Sequence, residues 1–285
     1  MYHCHNCGVT YAFHTFLKTL DPSLYSEFCL EKLKEGKSVQ QIELEEFVAK
    51  MRKPVFLKQG PLVGLKKISQ LKHDHPAKLF VEKRLIPNPY HAKLFYCPKF
   101  FTWSNSVVPG KFEEKTLQYD EPRLLIPFIN KDQIMHAFQG RSFDPKSKTR
   151  YITIVNDESE QKIYGLDTVD INKKIYVFEG PIDSMFIPNA IATAGGDLTA
   201  LSGFNKKHLV ICYDNEPRSV ETKKKIDKAI MQGYNVCIWP INLEFKDVND
   251  MVLGGLSSDF IKYIIDQNTH RELKAKLALN TWSKV

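Results

Sequence analysis

From Lys174 onward, short apolar runs rich in β-branched residues alternate with charged segments of helical period. Ile175-Tyr176-Val177-Phe178 and Leu209-Val210-Ile211-Cys212-Tyr213 contain no charged residue. Runs of that kind read as strands buried on both faces of a parallel sheet. Between them the pattern predicts a helix over 182–189, a short strand over 190–194 and, after Gly195-Gly196, a helix near 197–202. A basic helix is expected over 220–232, closed by Gly233, and a further strand over 235–239. The order β-α-β-α-β-α-β describes a compact parallel-sheet module. Residues 258–279 follow with a helical pattern.

Upstream the pattern is mixed. Phe13, Phe16, Leu17 and Leu20 fall on one side of an amphipathic helix, and 23–33 reads as a second helix. Residues 35–60 are highly charged and short of strand pattern, which suits a linker, ended by Pro54, Gly60 and Pro61. A helix is expected over 75–84, stopped by Pro87 and Pro89. Residues 123–128 read as a strand in which Pro127 points to an edge or a strand end. Its antiparallel partner is expected over 133–139, across a turn at 130–132, with another strand at 151–155. Phe95, Tyr96, Phe100, Phe101 and Trp103 could stack single-stranded bases, though such a cluster is more often core.

Composition changes this picture little. Hydrophobic residues make up 43% and charged residues 26% of 285, ordinary values for a folded chain. No apolar stretch approaches the roughly 20 residues of a membrane span, and the start lacks a secretory pattern. The six cysteines are too few and too scattered for a disulfide framework; Cys29, Cys97, Cys212 and Cys237 read as reduced thiols, which points to a cytoplasmic setting. The net charge of +7 suits a polyanionic partner and a solvated basic surface equally well.

The candidate chemistry lies where the apolar runs end. Glu179-Gly180-Pro181-Ile182-Asp183 follows the first and Asp214-Asn215-Glu216 the second. Carboxylates there gather at the carboxyl edge of the sheet, where open α/β sheets bind ligands. Glu179, Asp214 and Glu216 would repel one another unless a cation sat between them, and an oxygen-only ligand set favours Mg²⁺ or Mn²⁺. Taken singly, Glu179 also reads as a salt-bridge partner and Asp214-Asn215-Glu216 as a surface turn. Gly180 would let backbone approach a ligand, and Lys223-Lys224-Lys225 reads as solvent-facing charge. Cys4 and Cys7 form a Cys-x-x-Cys zinc half-site, but tetrahedral zinc needs four ligands and no second pair exists. Zinc is therefore expected to be held weakly or not at all.

Glu179-Gly-Pro-Ile-Asp183, Asp214-Asn-Glu216 and Lys246-Asp247-Val-Asn249-Asp250 resemble the toprim signature of replicative DNA primases. With Phe138-Gln-Gly-Arg141, Lys162-Ile-Tyr-Gly165 and Asp214-Asn-Glu-Pro-Arg218, the whole chain is similar to the T-even bacteriophage primase family. The toprim pattern alone is shared with topoisomerases, recombination-mediator proteins and some nucleases; with the upstream motifs it is far more specific.

The resemblance implies an α/β fold: a toprim parallel sheet preceded by a mixed α/β primase subdomain, a partial zinc ribbon at the N-terminus and a helical C-terminal tail. The expected divisions are 1–20 for the ribbon, 21–61 for the linker, 62–173 for the polymerase subdomain, 174–250 for toprim and 251–285 for the tail. It implies synthesis of short RNA primers from ribonucleoside triphosphates on a single-stranded DNA template, at the replication fork in the host cytoplasm. The replicative hexameric helicase is the implied partner. Glu179, Asp214 and Glu216 would hold catalytic Mg²⁺, and Glu216 stands where bacterial primases carry aspartate. Asp183 would orient the first carboxylate or a metal-bound water. Asp247 and Asp250 would do likewise, or only cap a helix. Arg123, Arg141 and Arg150, with Lys162 as a weaker fourth, would contact triphosphate or template. Zn²⁺ would enter only if the missing half of the ribbon were supplied. A toprim nuclease and a non-catalytic nucleic-acid-binding remnant are the rival readings.

Overall fold

The computed structural model describes residues 2–3, 10–11, 13–34 and 60–285. The chain divides into two compact units, Met1–Val63 and Gly64–Val285. In the first, β1 (Tyr2–His3) pairs antiparallel with β2 (Thr10–Tyr11), followed by α1 (Phe13–Leu20) and α2 (Pro22–Lys34). The rings of Phe13 and Phe28 meet edge to face at 5.7 Å and join these helices. Cys4 and Cys7, and most of the expected linker, lie outside the described residues.

The second unit holds two five-stranded sheets. The first runs in chain order: β3 (Lys66–Lys67), β4 (Phe95–Cys97), β5 (Arg123–Ile129), β6 (Met135–Ser142) and β7 (Tyr151–Val155), all antiparallel. Around it lie α3 (Pro76–Lys83), α4 (Asn88–His91), α5 (Phe100–Val107) and α6 (Glu114–Leu117). His75 starts α3 by accepting the Ala77 amide on Nδ1 at 3.1 Å. Pro127, expected at an edge or a strand end, sits in a strand with neighbours on both sides but at a position that only one of them reaches. Pairing with β4 covers only Arg123 to Leu125, so at Pro127 that side of β5 has no ladder for the missing N–H to interrupt.

The second sheet has the order β12-β11-β10-β8-β9. Its parallel strands are β8 (Ile175–Phe178), β9 (Ala190–Ala192), β10 (Leu209–Cys212) and β11 (Asn235–Cys237), all at the places the apolar runs predicted. The helix after β8 is much shorter than expected: α7 spans only Pro181–Ser184. Met185, Phe186 and Ile187 are all buried, and three consecutive buried residues do not fit one helix face. Asn189, at φ 54°, then turns the chain back into β9. A 3₁₀ turn over Leu198–Leu201 replaces the helix expected near 197–202.

Ser219 caps α8 (Val220–Met231) through the Thr222 amide, and Gly233 at φ 78° closes it. Then follow α9 (Val248–Leu253), α10 (Ser258–Gln267) and α11 (Glu272–Trp282). Between the last two helices, β12 (Thr269–His270) adds an antiparallel edge strand to β11, a strand absent from the helical reading of the tail. Buried side chains run without a break from Ile68, Val81 and Leu124 through Ile163 and Tyr164 to Val177, Ile211 and Trp282. Cys97, Cys212 and Cys237 are free and buried, as reduced core thiols should be.

Candidate active site

A cleft of about 560 Å³ lies between the two sheets, at the carboxyl ends of β8 and β10. Glu179, Asp183, Asp214, Asp247 and Asp250 line it, with Lys246 beside them. Strand order explains the convergence: β8 and β10 are parallel neighbours with Cys212 paired to Phe178, so the residues after them emerge side by side. The turn carrying Gly196, at φ 75°, lies against the Glu179 carboxyl; a Cβ there would come 3.4 Å from Cδ. Gly180 makes room for Asp183, whose Oδ2 would meet an added Cβ at 2.9 Å. The space expected for a ligand at Gly180 is thus taken by a carboxylate of the chain itself.

The acids repel. Burial first, then the charges of Asp247 and Asp214, push Asp183 up to about 8, although it accepts the Asn249 amide at 3.0 Å. Burial and then Glu179 and Asp247 push Asp214 up to about 7. Two lysines meet part of this charge. Lys225 on α8 bonds Glu179 at 3.2 Å and Glu221 at 3.0 Å, so it is not the solvent-facing charge its sequence suggested. Lys246 bonds Glu216 at 2.9 Å, and that bond leads in holding the Glu216 carboxyl below its usual range. Glu216 lines a neighbouring hollow, bonded to the cleft residue Lys246, and also accepts the Thr222 hydroxyl at 3.2 Å. Among the described residues no three His, Cys, Asp or Glu side chains come close enough to share one ion as arranged. The donor set is nonetheless all carboxylate oxygen, under mutual repulsion, which fits a hard divalent cation once the lysines turn aside.

The signs of these shifts make a testable statement. A carboxyl whose folded pKa is raised keeps its proton at pH values where the unfolded chain has lost it. Stability of the metal-free protein should therefore fall as pH rises from about 4 through about 7 and about 8, the values of Asp214 and Asp183. We expect the melting temperature to drop by roughly 5 °C between pH 5.5 and 8.5 on this account, and added Mg²⁺ to recover most of it at the upper end. A melting temperature that climbs with pH over this interval would contradict the repulsion.

Arginines form the opposite wall. Arg84, Arg141 and Arg150 line the cleft together with Gln139, Tyr151 and Thr153. Arg141 lies over the Tyr151 ring at 4.8 Å and donates to the Ser142 carbonyl, while its buried Nε has no hydrogen-bond partner. Arg84, which ends α3, was not foreseen: a lone arginine at a helix end carries no pattern. Its Nη1 donates to Asn249 Oδ1 at 2.6 Å, and Asn249 Nδ2 donates back to the Arg84 carbonyl at 2.8 Å. Asn249 thereby joins Arg84, on the arginine wall of the cleft, to Asp183 on the acidic wall.

Arg123 belongs elsewhere. The register pairs Leu124 with Arg141, so Arg123 projects from the opposite face of the sheet. It is 1% exposed, donates to the carbonyls of Gly140 and Thr149, and pairs with Glu121. A guanidinium so committed braces the 142–150 loop; its one unpartnered donor, Nε, is buried, so the phosphate contact expected of Arg123 has no exposed donor in this arrangement. Gly140 likewise serves packing: an added Cβ would lie 2.3 Å from the Phe100 ring. Lys162 Nζ lies 3.8 Å from the Cβ position of Gly195, a residue that lines the cleft. Asp247 both caps α9, accepting the Asp250 amide at 2.8 Å, and lines the cleft. Phe95, Phe100 and Phe101 are core.

No helix among the described residues is long and apolar enough to cross a membrane. No family model matches the sequence. Among curated proteins, the DNA primase of Enterobacteria phage T4 is 33% identical over 285 residues, covering 99% of this chain and 82% of the relative. Among solved structures, a DNA primase domain from Pseudomonas aeruginosa superposes with a TM-score of 0.51 at 16% identity, over 72% of this chain and 75% of that one. The E. coli primase catalytic core gives 0.50 at 14%, over 76% and 78%. At such identities the structures speak for the fold alone. One-third identity over 99% of this chain and 82% of the phage enzyme, on a fold matched independently, places the chain in the DNA primase family, the nucleotidyltransferases that synthesise RNA primers for DNA replication.

Proposed function

We propose that primers are extended in the cleft between the sheets, with Glu179, Asp214 and Glu216 holding Mg²⁺ or Mn²⁺ and Asp183 orienting the first carboxylate. The observation that carries this is the pairing of surplus charges. Asp214, pushed up to about 7, marks uncompensated negative charge, and it faces arginines that lack enough acidic partners in the same cleft. A divalent ion and a triphosphate would satisfy both walls. When bound, the ion would lower the pKa of the attacking 3′-hydroxyl and offset charge on the α-phosphate and pyrophosphate. The chain's own parts do the rest. Arg84, Arg141 and Arg150 would grip phosphates in bidentate fashion, Lys162 would add positive charge beside Gly195, and Asp247 and Asp250 would hold the acidic edge in register. Single-stranded DNA is the template, ribonucleoside triphosphates the substrates, and the phage replicative helicase the partner at the fork in the bacterial cytoplasm. Zn²⁺ would serve Cys4 and Cys7 only with a second cysteine pair.

The test is incorporation of labelled ribonucleotides on single-stranded template. Chelation should end synthesis and Mg²⁺ should restore it; undiminished synthesis in chelator would refute the metal site, and cleavage without synthesis would favour the toprim nuclease. The basic wall has its own signature. For a single strand, each phosphate contact contributes about 0.7 to the slope of log affinity against log salt, so Arg84→Ala and Arg141→Ala should each flatten it by that amount. Anisotropy titrations of labelled template across salt concentrations read this, and an unchanged slope would remove that arginine from the interface.

A further inference from the structure

Asp214 is flanked on both sides by tryptophan hydrogen bonds. The chain has three tryptophans, and two of them donate to the residues next to this one carboxylate. The indole N–H of Trp239, beyond the end of β11, donates to the Tyr213 carbonyl at 2.8 Å. That of Trp282, in the last turn of α11, donates to Asn215 Oδ1 at 2.9 Å. Both rings are buried, at 3% and 2% exposure. Asn215 is itself fully engaged. Its side-chain amide donates to the carbonyls of Leu243 and Phe245 at 2.8 and 2.9 Å, and its backbone N–H donates to Lys246 at 2.6 Å. The orientation of its amide follows from chemistry: indole can only donate, so Oδ1 must face Trp282, and carbonyls can only accept, so Nδ2 must face the 243–245 loop. The C-terminal segment continues the contact, with the Lys284 amide donating to Pro217 at 2.8 Å and Lys223 to the Val285 carbonyl.

We propose that Trp239, Trp282 and Asn215 are positioning residues for the metal-binding acids, so that the C-terminal helix is a working part of the active site. This rests on the reading of Asp214 and Glu216 as metal ligands. Asp214 and Glu216 sit on the segment that leaves β10, outside any strand ladder and turned tightly by the Glu216 amide donating to the Asp214 carbonyl at 3.0 Å. The clamp supplies what a ladder would. Trp239 holds the segment just before Asp214, while Trp282 and the 243–246 loop grip it between the two acids. The same Asn215 ties the acids to the loop that delivers Lys246 and Asp247. Loss of an indole donor would leave a buried acceptor unpaired and free the segment to shift by fractions of an ångström, enough to spoil ligation while leaving the fold in place.

Trp282→Phe and Trp239→Phe keep an aromatic ring but delete the donor and shrink a buried side chain, so a control for lost packing is needed. In the full chain, Mn²⁺ binding followed by the paramagnetic signal of the free ion should weaken about tenfold in each, as when an outer hydrogen bond to a metal ligand is lost. Primer synthesis should fall at limiting Mn²⁺ and recover at saturating Mn²⁺, with the KM for ribonucleotides unchanged. Ile261→Val, a core substitution in α10 away from the site, controls for stability: it should lower the melting temperature without moving the Mn²⁺ titration. Wild-type Mn²⁺ affinity in both tryptophan variants, with binding lost in Asp214→Asn, would overturn the clamp and spare the metal site. Equal Mn²⁺ binding by wild type and Asp214→Asn would overturn the metal site and the clamp with it.

Discussion

Asp214→Asn should abolish primer synthesis, by about a thousandfold or more, while the metal-free protein melts at or above the wild-type temperature. The two halves of this expectation have one cause. Burial and the charges of Glu179 and Asp247 push Asp214 up to about 7, so above that pH the folded state carries an ionised group against repulsion. Asparagine keeps the shape and removes the charge. The unfavourable field disappears, and with it the ligand that the field is proposed to attract. Labelled-ribonucleotide incorporation and melting curves at pH 8 read the two effects side by side. Residual synthesis above a tenth of wild type would remove Asp214 from the metal site. A large fall in melting temperature would show that the carboxylate serves the fold instead.

The second large effect concerns Gly140. A methyl group there would stand 2.3 Å from Phe100, a distance no real contact tolerates. Phe100 cannot retreat, because its ring also meets Phe101, Phe112 and Phe138 and lies under the Arg123 guanidinium. Gly140→Ala should therefore cost about 3 kcal/mol, or roughly 6–12 °C in melting temperature. Phe100→Leu alone opens a cavity and is also destabilising, but in combination each change fills the space the other creates. The double variant should be more stable than the sum of the single losses by at least about 1 kcal/mol. Strict additivity in chemical denaturation would mean that glycine is needed at 140 for some other reason.

Gly140 also shows what the sequence could and could not convey. A glycine beside an arginine in a recognisable motif announces a close approach, but not what approaches; here it is a phenylalanine forty residues away. The parallel strands were legible because burial on both faces leaves an unbroken apolar run, and the acids were legible because they stand where those runs stop. Arg123 and Arg141 looked alike, yet the one-residue register offset sends them to opposite faces of the sheet. Lys225 was hidden for a geometric reason. Three consecutive lysines on a helix are spread about 100° apart, so one of them can turn toward the sheet whatever the composition suggests. The partners of Asn215 lie up to 67 positions away, and no local pattern brings a C-terminal tryptophan to an acid pair.

The unbroken run of buried side chains through both sheets has a consequence for how this enzyme can be divided. Val81 and Leu124 on one side and Val177 and Ile211 on the other belong to a single interior, so neither half owns a finished surface to fall back on. Cutting between them would expose apolar faces that nothing in the excised piece could cover. From Gly64 onward, the part that carries the cleft arginines and the part that carries the acids should thus melt as one transition. A mutation deep in either half then reaches the other through shared cooperativity, without needing to touch the cleft.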